Sequence, residues 1–153
     1  MGFIGELFSN GPLVVTAIAW FLAQVIKIFY YRSQEGYYNL MHFFEAGGMP
    51  SAHSATVSSL TLSIGLTYDF STPLFAVCLV LALIVMYDAT GVRRAAGQQA
   101  LMLNKIVAEV YNKDEASHKK LREALGHDPI EVIAGALIGI IVAFIAHFLF
   151  LGR

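Results

Sequence analysis

Residues 47–56 read GGMPSAHSAT, a histidine framed by small hydroxyl residues and preceded by two glycines and a proline. Pro50 suits the first turn of a helix, and Gly47 and Gly48 let backbone N–H groups come close to a ligand. A helix start with such N–H groups favours an anion. Ser51 and Ser54 add hydroxyl donors, and His53 can give or take a proton near neutral pH. The stretch reads as an anion cradle holding a titratable group; a plain turn with an interfacial histidine is the simpler alternative.

Two other stretches carry the same kind of chemistry. In GHDPIEVIAGALIG, residues 126–139, His127 and Glu131 stand four apart, so one helical face lets the carboxylate orient the imidazole. Asp128 ahead of Pro129, with Glu131 three residues after Asp128, also fits a capping box. The two roles are compatible. In YDATGVRRAAGQQ, residues 87–99, Arg93 and Arg94 offer planar forks for phosphate oxygens. Asp88 at a membrane boundary is costly unless it is paired, orients a neighbour or functions. Lys27 closes an otherwise apolar run and is either an anion ligand or a snorkelling side chain.

The elements that must position these residues are apolar. Of 153 residues 57% are hydrophobic and 14% charged, and the mean hydropathy is +0.63, which together indicate an integral membrane protein. The net charge of -1 is uninformative until the charges are placed by position, and no nucleic-acid partner is expected. The lone Cys78 rules out a disulfide framework or a thiolate metal cluster. The opening MGFIGELFSN lacks the basic region of a signal peptide, and Glu6 stands where a myristoylation signal wants Ser or Thr.

Crossing the hydrocarbon core takes about 20 apolar residues. Residues 12–31, 73–90 and 129–151 meet that. Residues 53–70 make a fourth span, rich in Ser, Thr and Gly, which suits a helix facing other helices. The short 68–73 link predicts an antiparallel hairpin of spans two and three. Ala96, Ala100, Leu103, Val107 and Val110 recur at helical spacing and predict an amphipathic helix near the interface. A charged turn at 112–115 and a second short helix ending at Gly126 follow. Gly135 and Gly139 predict close packing within the bundle. The expected fold is all-α, a single membrane domain over 1–153 with four transmembrane helices. His42, His118 and His147 read as incidental, and Cys78 and Trp20 as lipid- or core-facing.

Orientation follows from the cations. With both long connections (32–52 and 91–128) on one side, that side holds Lys27, Arg32, Arg93, Arg94, Lys105, Lys113, Lys119, Lys120 and Arg122, against Arg153 alone opposite. The positive-inside rule makes the crowded side cytoplasmic and puts both termini outside a cell membrane. Alternating spans then bring Lys27, His53, Asp88 and Glu131 to one membrane level.

The pattern resembles the type 2 phosphatidic acid phosphatase superfamily, which includes the vanadium haloperoxidases, and within it the small divergent branch. Lys27 stands for its first motif, Pro50-Ser51-Ala52-His53 for its second, and His127 with Glu131 for its third; YDATGVRRAAGQQA is similar to what the divergent branch carries. Several positions depart. Arg32 is followed by Ser33, Ala52 replaces Gly, Glu131 replaces Asp, and Arg122 lies one residue too close to His127. The resemblance implies metal- and cofactor-free hydrolysis of a lipid phosphate, of the phosphatidic acid, phosphatidylglycerophosphate or isoprenoid class. His127 would be the nucleophile and His53 the acid and base. Lys27, Gly47, Gly48, Ser51, Arg93 and Arg94 would hold the phosphate. A lipid-phosphate carrier using the same anion site is the alternative. A metal-dependent phosphotransferase using Asp88 ranks below it, since only the first half of such a motif is present. The oligomeric state stays open, a homo-oligomer included.

Overall fold

The computed structural model describes residues 2–44, 47–110, 121 and 126–151. The α-helices among them are α1 (Phe3–Ser9), α2 (Gly11–Glu35), α3 (Ala52–Tyr68), α4 (Pro73–Thr90), α5 (Val92–Val110) and α6 (Pro129–Ala146). A 3-10 turn (Leu40–Phe44) follows α2, and a π-helical turn (His147–Leu151) follows α6. No strand occurs among the described residues. The helix starts are encoded locally. Asn10, Ser51 and Thr72 accept N–H bonds from Leu13, Ser54 and Phe75, and Pro stands in the first turn of α2, α4 and α6.

Helix α3 is the centre of the bundle and packs on α2, α4 and α6. Its small and hydroxyl-bearing residues explain that position, because they let neighbouring backbones approach. Ser58 Oγ donates to the Ala136 carbonyl of α6 at 3.1 Å, and Thr61 Oγ1 to the Cys78 carbonyl of α4 at 3.1 Å. A Cβ at Gly135 would strike the Ser51 carbonyl, and one at Gly139 would strike Ser58 Oγ and the Ala55 carbonyl. The two glycines thus seat α6 directly on α3, as their spacing predicts.

Three segments are long and apolar enough to cross a membrane: Gly11–Glu35, Pro73–Glu109 and Pro129–Leu149. Of the four expected spans, these three meet that measure, and the fourth, 53–70, falls on α3. Helix α3 has only 17 residues, a length of about 25 Å, and its hydroxyl content lowers its hydropathy. The segment expected to be amphipathic falls on α5. Gly91 divides α4 from α5, and the apolar part of the stretch they make together is α4, since α5 carries Arg93, Arg94, Lys105 and Glu109. Of the face expected on α5, Ala100 is buried while Leu103 and Val107 are exposed. Helix α1, with Phe3, Ile4, Leu7 and Phe8 exposed, was not anticipated. The charged turn and second short helix, with Lys113, His118, Lys119, Lys120 and Arg122, lie outside the described residues.

Candidate functional site

Helices α3 and α6 begin at the same end of the bundle, joined where the Ser51 N–H donates to the Glu131 carbonyl at 3.0 Å. Helix α4 ends there as well, since the His127 N–H donates to the Ala89 carbonyl at 2.9 Å. Gly126, at φ +86°, lies so close to the Arg93–Arg94 backbone that a Cβ has no room. That close approach sets His127 against the junction of α4 and α5.

His127 is 3% exposed. Its Nδ1 bonds Glu131 Oε2 at 2.8 Å, and the same oxygen accepts the Asp128 N–H at 3.2 Å. One carboxylate therefore orients the imidazole and caps the helix, so both sequence-level roles of Glu131 coexist. With Nδ1 donating, the lone pair is on Nε2, the tautomer being assigned from this bond. His127 Nε2 is buried and has no hydrogen-bond partner. The His53 ring stands 6.3 Å from that of His127, centroid to centroid, at 61°.

Two cavities meet at His127. The inner one, about 180 Å³, is walled by Lys27, Gln24 and Trp20 of α2, by Phe44, and by Ala52 and His53 of α3. Lys27 is 1% exposed, a buried ammonium beside a buried imidazole. The outer cavity, about 440 Å³, takes Tyr31, Gly47 and Gly48 on one side and Arg94, Gly97, Gln98 and Leu101 on the other. Asp128 and Glu131 complete its floor. Arg93, His127, Lys27 and Asp88 are the titratable groups close enough to act on His53.

The remaining candidates take other positions. Arg93 Nε pairs with Asp88 Oδ2 at 2.6 Å, and Arg94 Nη2 with Asp128 Oδ1 at 2.9 Å. Asp88 thus orients an arginine, and Arg93 lines neither cavity. Ser51 is fully buried; its Oγ accepts the N–H and the hydroxyl of Ser54. It acts as the cap of α3. Among the described residues no three His, Cys, Asp or Glu side chains come together to hold a metal ion.

Sequence reasoning missed Gln24, Tyr31 and His42. His42 is not incidental: it stacks on Tyr31 at 4.2 Å, and its Nε2 lies 3.1 Å from Glu35 Oε1. Tyr31 in turn packs against Gly48, whose φ of +90° and lack of Cβ permit the contact. Trp20, Gln24, Lys27 and Tyr31 stand at i, i+4, i+7 and i+11. That one-face spacing is the signal that would have found them.

The fold and the cluster define a helical membrane protein with a polar histidine site at one end of its bundle. The chain belongs to the divergent PAP2 family, whose model matches residues 8–142. It is 39% identical over 160 residues to the uncharacterized membrane protein YuiD of Bacillus subtilis (strain 168), covering 95% of this chain and 99% of that one. No solved structure matches it.

Proposed function

We propose that this protein hydrolyses a phosphomonoester of a membrane lipid through a phosphohistidine on His127. The observation that carries the reading is the buried, unpartnered Nε2 of His127, facing a cavity shared with Lys27 and His53 while Glu131 holds Nδ1. A nucleophile beside an acid–base group, oriented by a third residue, is the arrangement covalent catalysis needs. The Nε2 lone pair attacks phosphorus, the P–N bond forms, and the ester P–O bond breaks. Protonated His53 gives its proton to the departing alkoxide. Neutral His53 then takes a proton from water, whose oxygen displaces the imidazole and releases inorganic phosphate. Lys27 neutralises the equatorial oxygens in the inner cavity, and Arg94 with the Gly47 and Gly48 N–H groups attracts the anion from the outer one. Asp88 and Arg93 act at a distance, as a paired support, and Ser51 caps the helix.

The catalytic end faces the cytoplasm in this proposal, with α3 as a fourth, internal crossing, α5 along the interface, and both termini outside. The nine-to-one distribution of cations supports it. Tyr37, exposed between α2 and α3, provides the check. A Tyr37→Cys thiol should react with a membrane-impermeant reagent only in opened cells; reaction in intact cells inverts the topology.

Phosphate release from lipid phosphates by the purified protein, in the presence of EDTA, tests the activity. Release is expected. The ion pairs that occupy Arg93 and Arg94 favour a second reading, a binder that moves a lipid phosphate intact. Headgroup binding with no release of phosphate would establish that one instead.

A further inference from the structure

Gln24 is 7% exposed, lines the inner cavity, and its Oε1 has no hydrogen-bond partner. Buried polar groups in folded proteins are paired almost without exception, so an orphaned amide facing a cavity points to a partner that the protein does not itself provide. Lys27, one turn further along α2, stands beside His53 and His127. Trp20, one turn in the other direction, is half exposed and packs edge-on against Phe43 at 5.7 Å. On a helix rising about 1.5 Å per residue, Gln24 sits about 4.5 Å from Lys27, and Trp20 about 10 Å. The wall therefore runs from cation to amide to aromatic.

We infer that Gln24 Oε1 accepts from a free hydroxyl on the carbon next to the one carrying the phosphate ester, and that the substrate is a lipid phosphate whose phosphate sits on a glycerol unit with that hydroxyl free, not a phosphate carried directly on a hydrocarbon chain. The inference rests on the phosphatase reading and narrows its substrate class. With the phosphoryl group at Lys27 and His127, the next atoms of a glycerol phosphate are a carbon and its neighbour bearing oxygen. A free hydroxyl on that neighbour can donate to Gln24 Oε1, which an esterified oxygen cannot, and the chain continues past Trp20 and Phe44. A cavity of about 180 Å³ has the volume of about six waters, enough for a phosphoryl group and a few further atoms. A simple alkyl or prenyl phosphate puts methylene groups against the amide and leaves it unpaired. Sites built to bond a substrate hydroxyl reject analogues lacking it far more strongly than apolar pockets reject a missing methylene.

The test compares two single-chain substrates with the same tail, 1-oleoyl lysophosphatidic acid and oleyl phosphate, in mixed micelles with the full-length protein. The unaltered protein should favour the glycerol compound in kcat/KM by about tenfold or more, and Gln24→Leu should shrink that ratio to about twofold. Gln24→Met, which keeps the side chain's length, gives the same readout should the leucine variant not fold. An unaltered protein that uses oleyl phosphate equally well, or variants that keep the original ratio, would overturn the assignment of Gln24 and leave the phosphatase intact. Release from neither compound overturns the phosphatase reading and the preference with it.

Discussion

His127→Ala should abolish phosphate release and leave no phosphoenzyme, an expected loss of at least about 10³-fold in kcat, as for other enzymes stripped of their nucleophile. The size of the effect follows from geometry. Among the residues that line the cavity with Lys27, the only imidazole nitrogen that is buried and unpartnered is His127 Nε2. Glu131→Gln gives a smaller loss. Its amide oxygen can still accept from the Asp128 N–H and from Nδ1, so the helix start and the ring orientation persist. What disappears is the negative charge that stabilises the imidazole as it becomes cationic on attack. Graded loss, alanine at 127 below glutamine at 131, distinguishes a nucleophile and its orienting partner from a packing defect. Thermal unfolding of each variant supplies the structural control.

His53→Ala divides substrates by leaving group. An alkoxide departs with a proton from His53, so lipid phosphates should lose about 10²–10⁴-fold, the usual worth of general acid–base catalysis. A p-nitrophenolate needs little protonation, and p-nitrophenyl phosphate should still phosphorylate the variant. Hydrolysis of the phosphoenzyme also requires a base. The expected trace in stopped-flow absorbance is therefore a burst of nitrophenolate followed by slow release. His53 is exposed at the start of α3 while His127 is buried, which suits the exchange of protons with solvent through the first and not the second. A His53→Ala variant that loses both substrates equally would make His53 a phosphate ligand and not an acid.

The parts of this fold that were legible from sequence are those decided locally. Pro12, Pro73 and Pro129 begin helices, Thr72 and Asp128 cap them, and the hydroxyls of α3 face other helices because lipid offers them no partner. The convergence of Lys27, His53, Asp88 and Glu131 was legible too, as a consequence of alternating helix direction. Other features depend on chain segments remote in sequence. Arg93 and Arg94 carry the composition of phosphate ligands, yet the break at Gly91 and the seat of Gly126 hand each to an acid, Asp88 and Asp128. In the sequence Gln24 is one polar residue in an apolar run; only the fold shows that it lines a cavity with its Oε1 unpartnered. His42 gained significance through Tyr31 and Glu35, which lie 11 and 7 residues away on another element.

The proposed reaction turns on one bond, between phosphorus and His127 Nε2. Rapid quenching during turnover of a lipid phosphate, followed by peptide mapping under alkaline conditions that preserve phosphohistidine, measures it directly. A single acid-labile, alkali-stable phosphate is expected on the peptide containing His127, absent from His127→Ala and longer-lived in His53→Ala. Turnover with no covalent phosphate on His127, or phosphate on His53 instead, would contradict it.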